Sequence, residues 1–299
     1  MLTHEERLAR ARLSLEGLSV GDSLGGFLEG SNRAETNIIV ANRQPPDIEW
    51  RYTDDTNMAL SIYAILMQFQ KIEQDQLAQS YADRYDRGRG YGPGARRMLS
   101  RIRNGEDFRD FNTKMYNGGS YGNGGAMRVA PVGAYFADDI DAVIENAKLS
   151  CEITHAHPEG IAGAIAVAVA AAIANNLNGQ EKPTRAEFIE QILPHVPEGD
   201  VKSGIRRTRD IKSTTISHVT GMIGNGSKIS AQDSVPFVLF CAGEWLDDYE
   251  EAIWQTMSGG GDADTNCAMV GGIVACFVGQ DGIPQKWIAQ REKLPQWID

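Results

Sequence analysis

Clean alternation of apolar and polar residues is scarce along these 299 residues, and this shortage constrains the fold more than any other feature. A half-buried strand needs a period of two, so a sheet has little to be built from. Apolar residues recur instead at three- and four-residue steps, the period of a helix with one buried face. Leu8, Ala11, Leu15 and Leu18 form one such stripe, and Gly21 is expected to close it. Met58, Ile62, Ile65, Leu66 and Phe69 form another after Thr53. The same reading predicts helices over 140–151, 161–177, 185–193, 249–257 and 265–278. The apolar stretch 235–245 reads equally as strand or helix, and the polar, glycine-dotted stretch 197–232 predicts no element. Loops are expected at 42–49, with its Pro45-Pro46 pair, and at the glycine clusters 86–94 and 117–125. No β-α-β spacing recurs, no repeat of 20–50 residues is present, and no composition break divides the chain. The expectation is one compact all-α domain over 1–299.

Charge narrows the partners. The chain has 29 Lys and Arg against 40 Asp and Glu, a net charge of −11. A binder of nucleic-acid backbone shows a basic face, so that class is excluded as an expectation. A small anionic ligand held by backbone N–H groups or cations is not. Glycine supplies 32 of the 299 residues, above the usual ~7%. The four cysteines, Cys151, Cys241, Cys267 and Cys276, contain no C-x-x-C pair and read as buried free thiols. The first residues have no apolar run or cleavage site, so no signal peptide is read there. The most apolar run, 161–174, is shorter than the ~20 residues a bilayer needs. A cytoplasmic monomer without a membrane segment is expected.

Five short segments are candidates for chemistry. Thr53-Asp54-Asp55-Thr56 opens a helix, where Thr caps and first-turn acids complement the dipole for purely structural reasons. Gly259-Gly260-Gly261-Asp262-Ala263-Asp264-Thr265 opens another, and here a cap does not require three glycines or a second carboxylate. Like charges this close repel unless a cation lies between them. Together the two segments offer four carboxylates and two hydroxyls, the hard oxygen donors of Mg²⁺, Ca²⁺ or Mn²⁺. Gly21-Asp22-x-x-Gly25-x-x-x-Glu29 lies near a helix end and is weak alone. Ser120-Tyr121-Gly122-Asn123-Gly124-Gly125-Ala126-Met127-Arg128 offers backbone N–H groups to phosphate oxygens, and Tyr121 or Tyr116 could stack on an adenine. It is neither a Walker loop nor a dinucleotide fingerprint. In Thr154-His155-Ala156-His157-Pro158, one ring can be satisfied by local backbone while the other, His155, donates to a ribose or phosphate.

In this order, from Leu15 to about Trp287, the five segments resemble the ADP-ribosylglycohydrolase (ADP-ribosylhydrolase) family. The resemblance implies an all-α orthogonal helical bundle and two Mg²⁺ or Mn²⁺ ions held by Thr53, Asp54, Asp55, Asp262, Asp264 and Thr265. It implies that Glu29 approaches the metals. The loop with Tyr116, Gly119, Ser120, Tyr121, Gly122, Asn123 and Gly124 would wrap adenosine and pyrophosphate, and His155 would touch the ADP-ribose. With every metal position intact, an active enzyme is expected over a non-catalytic ADP-ribose-binding relative or a metal-dependent phosphohydrolase. The implied reaction is hydrolysis of the bond joining ADP-ribose to a protein side chain, with Asp262 or Glu29 taking the proton of water. Residues 120–130 are similar to the branch that removes ADP-ribose from serine and cleaves O-linked esters or polymers. Residues 154–158 are similar to the bacterial branch that removes it from arginine of nitrogenase reductase.

Overall fold

A computed structural model describes residues 2–298. In chain order its helices are α1 (His4–Glu29), α2 (Arg33–Asn42), α3 (Asp54–Phe69), α4 (Gln74–Asp83), α5 (Pro93–Arg103), α6 (Ala130–Tyr135), α7 (Ile140–Glu152), α8 (Pro158–Asn176), α9 (Arg185–Ile192), α10 (Asp200–Asp210), α11 (Ile216–Ile223), α12 (Ala231–Glu244), α13 (Tyr249–Ser258), α14 (Ala263–Val278) and α15 (Gln285–Gln290). Among the described residues no strand forms, and Trp50–Arg291 and Gly122–Ser230 make isolated bridges. The fold is all-α, as the spacing predicts.

Local signals explain where many helices start. The Thr3 hydroxyl accepts from Glu6 N–H at 3.2 Å while the Glu6 carboxylate accepts from Thr3 N–H at 2.7 Å, a capping box that opens α1. Thr184 and Glu187 do the same for α9. Asp139 caps α7 and Asp248 caps α13.

At Gly21 the prediction fails. α1 runs on to Glu29, because its glycines are a packing surface and not a stop. A Cβ on Gly17, Gly21 or Gly25 would lie 2.4, 2.1 or 2.5 Å from the carbonyl oxygens of Gly271, Cys267 and Ala263 on antiparallel α14. Small residues at four-residue steps let the two backbones touch, and the lost helix propensity is offset by that contact. The stretch 235–245 is helix, inside α12. Residues 233–243 are buried on all sides, which erases the periodicity that would have separated helix from strand. The stretch 197–232 holds α10 and α11. α8 has 19 residues, more than the run read from sequence. It is long and apolar enough to cross a membrane by length and composition, yet 78% of that stretch is buried inside the protein. It packs against α6, α7, α12 and α14 around one contiguous hydrophobic core.

Candidate functional site

Two carboxylates on α1, seven residues apart and so on one face, tie together the starts of two other helices. Asp22 is fully buried and reaches the first turn of α3. It accepts from Thr53 N–H at 3.0 Å, the Thr53 hydroxyl at 2.7 Å, Thr56 N–H at 3.0 Å and the Thr56 hydroxyl at 2.5 Å. A residue of another helix thus caps α3, whereas the bond from Asp55 N–H to the Thr53 hydroxyl is long, at 3.4 Å. Glu29 accepts from Ala263 N–H at 3.1 Å and Asp264 N–H at 3.4 Å, capping α14 from outside. Asp262, although at the N-cap position of α14, makes no capping bond. Its Oδ2 accepts from Asn123 Nδ2 at 2.5 Å. Capping therefore does not account for Asp262.

Three of the four acids of the two helix starts, Asp55, Asp262 and Asp264, meet the acids of α1 here, while Asp54 lines the same cleft outside these groups. Oxygens of Asp22, Asp55 and Asp264 lie within 4.8 Å of one another, as do oxygens of Glu29, Asp262 and Asp264, so Asp264 belongs to both groups. Burial, with the charge of Asp264 next, pushes Asp22, Asp54 and Glu29 up to about 7 and Asp262 up to about 8. The same causes lift Asp55 well above the usual carboxylate range. Donors from Thr53 and Thr56 oppose the shift at Asp22. Among the described side chains none of these acids has a Lys or Arg partner. Asp55 is 1% exposed, and its Oδ1 has no hydrogen-bond partner at all. A buried carboxylate oxygen without a donor is costly unless a cation fills the place. The donor set and this orphaned oxygen fit hard divalent cations.

The acids form one end of a cleft of about 490 Å³, a volume suited to a small ligand. Glu29, Asp54, Asp55, Asp262, Asp264 and Thr265 line it, and so do Tyr116, Ser120, Tyr121, Gly122, Asn123, Gly124 and His155. Thr53 and Gly119 do not. The Thr53 hydroxyl points to Asp22 and to Asp55 Oδ2, 2.9 Å away, and Gly119 packs on the backbone of His157. Asn123 bridges the glycine loop to α12 and α14, since its Nδ2 also donates to the Ser234 hydroxyl at 2.9 Å. The His155 ring lies on this loop, where a Cβ at Gly124 would come within 2.7 Å of Cε1. Burial, then the Arg128 charge, pushes His155 down to about 3, which keeps the ring neutral. Its Nδ1 is 2.8 Å from the Thr154 hydroxyl, leaving Nε2 for the cleft. His157 plays the local role instead, with Nδ1 accepting from Glu159 N–H at 3.1 Å to cap α8. Tyr116 and Tyr121 are exposed at the mouth, Tyr121 edge-on to His157.

Sequence reasoning gave no role to Asp22, Arg128 or Met98. Arg128 is fully buried and donates to Gly124 C=O at 2.9 Å and the Thr154 hydroxyl at 2.7 Å, fixing loop and histidine together. Pro93, Gly94 and Met98 of α5 form a further wall of the cleft. The Gly-Asp-x-x-Gly spacing, with Glu29 two turns on, was the available signal for Asp22.

A family model described as ADP-ribosylglycohydrolase matches residues 3–299. The chain is 30% identical to "ADP-ribosylhydrolase ARH3" of Homo sapiens over 94% of this chain and 88% of that protein. The ARH3 of Bos taurus matches at the same identity and over the same shares. An uncharacterized protein, YegU, of Escherichia coli is 26% identical over 82% of this chain and 77% of its own. Among solved structures, one titled "ADP-ribosylglycohydrolase-related protein complex" superposes with a TM-score of 0.66 at 22% identity, covering 96% of this chain and 94% of that one. That likeness speaks for the fold. The family match, spanning nearly every residue, speaks for descent: the chain belongs to the ADP-ribosylglycohydrolase family.

Proposed function

We propose that this chain hydrolyses the glycosidic bond between C1″ of the distal ribose of ADP-ribose and a protein side chain, serine or arginine, or the equivalent bond of an O-linked ester or polymer. One observation carries the reading: a cluster of acids around the orphaned Asp55 Oδ1 closes a cleft whose other wall is a glycine loop with two tyrosines at its mouth. We assign two Mg²⁺ or Mn²⁺ ions to Asp54, Asp55, Asp262, Asp264 and Thr265; Thr53, whose hydroxyl donates to Asp22 and Asp55 outside the cleft, would join them only by turning its oxygen inward. Such ions, when bound, supply Lewis-acid polarisation and a more acidic water.

The chain's own residues do the rest. Amides of the 120–124 loop receive pyrophosphate, and Tyr116 and Tyr121 receive adenine. Neutral His155 hydrogen-bonds the ADP-ribose through Nε2. The dense negative field of the acids favours an oxocarbenium-like transition state. Asp262, oriented by Asn123, takes the proton of the attacking water, and Glu29 at the rim assists. The four cysteines are buried and unpaired, which supports a reducing compartment. We place the activity in the cytoplasm, in a monomer.

Two peptides, one ADP-ribosylated on Ser and one on Arg, test this by mass spectrometry with Mg²⁺ and with EDTA. Loss of ADP-ribose with Mg²⁺ from at least one peptide, abolished by EDTA, is expected, and the pair assigns the linkage. Asp262→Ala should lower the rate by about 10²–10⁴-fold. No loss from either peptide excludes the serine and arginine linkages and leaves only the ester or polymer bond, and phosphate release from free ADP-ribose would replace the reading with a phosphohydrolase.

A further inference from the structure

The chain carries a net charge of −11, yet in one hollow every charged residue among the described lining residues is an arginine. The hollow measures about 390 Å³, within the range of ligand pockets. Tyr85, Arg87, Arg96, Leu99, Ser100 and Arg103 line it. The last four lie three or four residues apart and so share one face of α5. Gly94 and Met98, which line the acid cleft, lie on the other side of the same helix. The two cavities have no lining residue in common.

The three guanidinium groups keep N–H groups free for a ligand. Arg87 makes no hydrogen bond or ion pair among the described residues. Arg96 donates from Nε to Tyr91 C=O, and Arg103 from Nη2 to Ala82 C=O and Asp83 C=O. Those acceptors are neutral, so they anchor both side chains and leave both charges uncompensated. The Arg103 guanidinium also sits over the Tyr85 ring, 5.8 Å from its centre, which holds it at the hollow. The acids nearest in sequence are engaged elsewhere. Asp83 Oδ1 accepts from Gln79 Nε2 at 2.7 Å. Asp86 accepts from Gly88 N–H at 2.8 Å and pairs with Arg89 at 3.5 Å. The Ser100 hydroxyl is exposed and adds a further donor.

Charge selects the occupant. A lone carboxylate offsets one of the three cations, whereas a diphosphate group carries at least two negative charges. Its oxygens also match the forked N–H groups of guanidinium bidentately. A long polyanion is disfavoured, because beyond the hollow it meets the acidic remainder of the protein. We propose that the α5 hollow binds a compact diphosphate group, free or at the end of a nucleotide, at a site separate from the acid cleft. The arginines carry this inference, and it does not depend on the reaction proposed above.

Inorganic pyrophosphate, titrated calorimetrically into metal-free protein, tests it. Arg87→Ala removes a side chain that holds nothing else in place, and binding should weaken at least about tenfold, the scale of one charge-assisted hydrogen bond. Ser100→Lys should tighten binding and Ser100→Glu should weaken it, an opposed pair that misfolding cannot imitate. Acetate should not compete. ADP in place of pyrophosphate distinguishes the sources: equal affinity through Arg87 means that the phosphates alone are read, and tighter affinity through Arg87 means a nucleotide. Absence of pyrophosphate binding overturns the proposal. So does binding that all three variants leave unchanged, which would place the anion in the acid cleft. Tighter binding of a single-stranded oligonucleotide than of pyrophosphate would replace the compact anion with a nucleic acid.

Discussion

Asp22 and Glu29 look alike in sequence and differ in what they hold. Asp22, without exposure, satisfies two backbone N–H groups and two hydroxyls of α3. Asp22→Ala strips all four acceptor contacts at once and leaves buried donors unpaired. A loss of ~3 kcal/mol is expected, the upper range for a hydrogen bond to a charged group, and a lower urea midpoint at unchanged slope would show it. Glu29 as a residue stands at the rim, with only its carboxylate drawn in against α14, and its two bonds need only an acceptor oxygen. Glu29→Gln retains one, so stability should hold within ~0.5 kcal/mol. Turnover with Mg²⁺ should nonetheless fall at least about tenfold, because the amide can neither take a proton nor carry charge. A Glu29→Gln protein that melts early but turns over normally would reduce Glu29 to a cap.

The α1–α14 pair is the element on which the site depends, since α1 carries Asp22 and Glu29 while α14 opens at Asp262. Gly21→Ala places a methyl 2.1 Å from the Cys267 carbonyl oxygen, and backbone on both sides prevents a cheap adjustment. The helices must part, at ~3 kcal/mol or more, and Mg²⁺ affinity should fall with stability. Gly221, inside α11, supplies the control. A Cβ there meets nothing within 4 Å, so Gly221→Ala should stabilise by ~0.5–1 kcal/mol and leave activity alone. Thermal melts of the two variants, moving in opposite directions, would separate packing from propensity. These glycines also show what sequence could and could not disclose. Acid pairs, glycine loop and histidine are each contiguous, so their chemistry is legible without the fold. Gly21 is legible only with its partner helix known, because a glycine that ends a helix and one that admits a neighbour look identical. Asp22 was hidden for the same reason, its donors lying on α3. α5 and α10 escaped notice because few apolar residues mark them: Met98, Leu99 and Ile102 in one, Val201 and Ile205 in the other.

At the scale of the whole molecule, the acid excess is concentrated where it strains the fold most. Asp22, Asp54 and Glu29 stand at about 7 and Asp262 at about 8, against ordinary values of 3.8 for Asp and 4.5 for Glu. Without cations the folded chain therefore holds protons that the unfolded chain has released. Between about pH 4 and pH 8 the native state binds more protons than the unfolded state, so stability falls as pH rises. The contribution of these acids is fully present below the unfolded carboxylate range and is lost through the folded one, while His155, pushed down to about 3, opposes it by a single proton on the acid side of the ordinary histidine range. A divalent cation reverses the sign, since it binds the ionised acids of the folded state and has no comparable site on the unfolded chain. Two such ions would also change the formal charge from −11 to −7. In EDTA the melting temperature should drop from pH 5 to pH 8. At saturating Mg²⁺, near a hundred times Kd, the gain should approach ~2.7 kcal/mol per site at pH 8 and shrink toward pH 5, where protons compete for the same oxygens. Asp262→Asn should flatten both trends by removing one of the raised acids and one oxygen donor together. A Mg²⁺ gain equal at pH 5 and pH 8, or a metal-free protein more stable at pH 8, would mean that the acids are not the place where cations and protons meet.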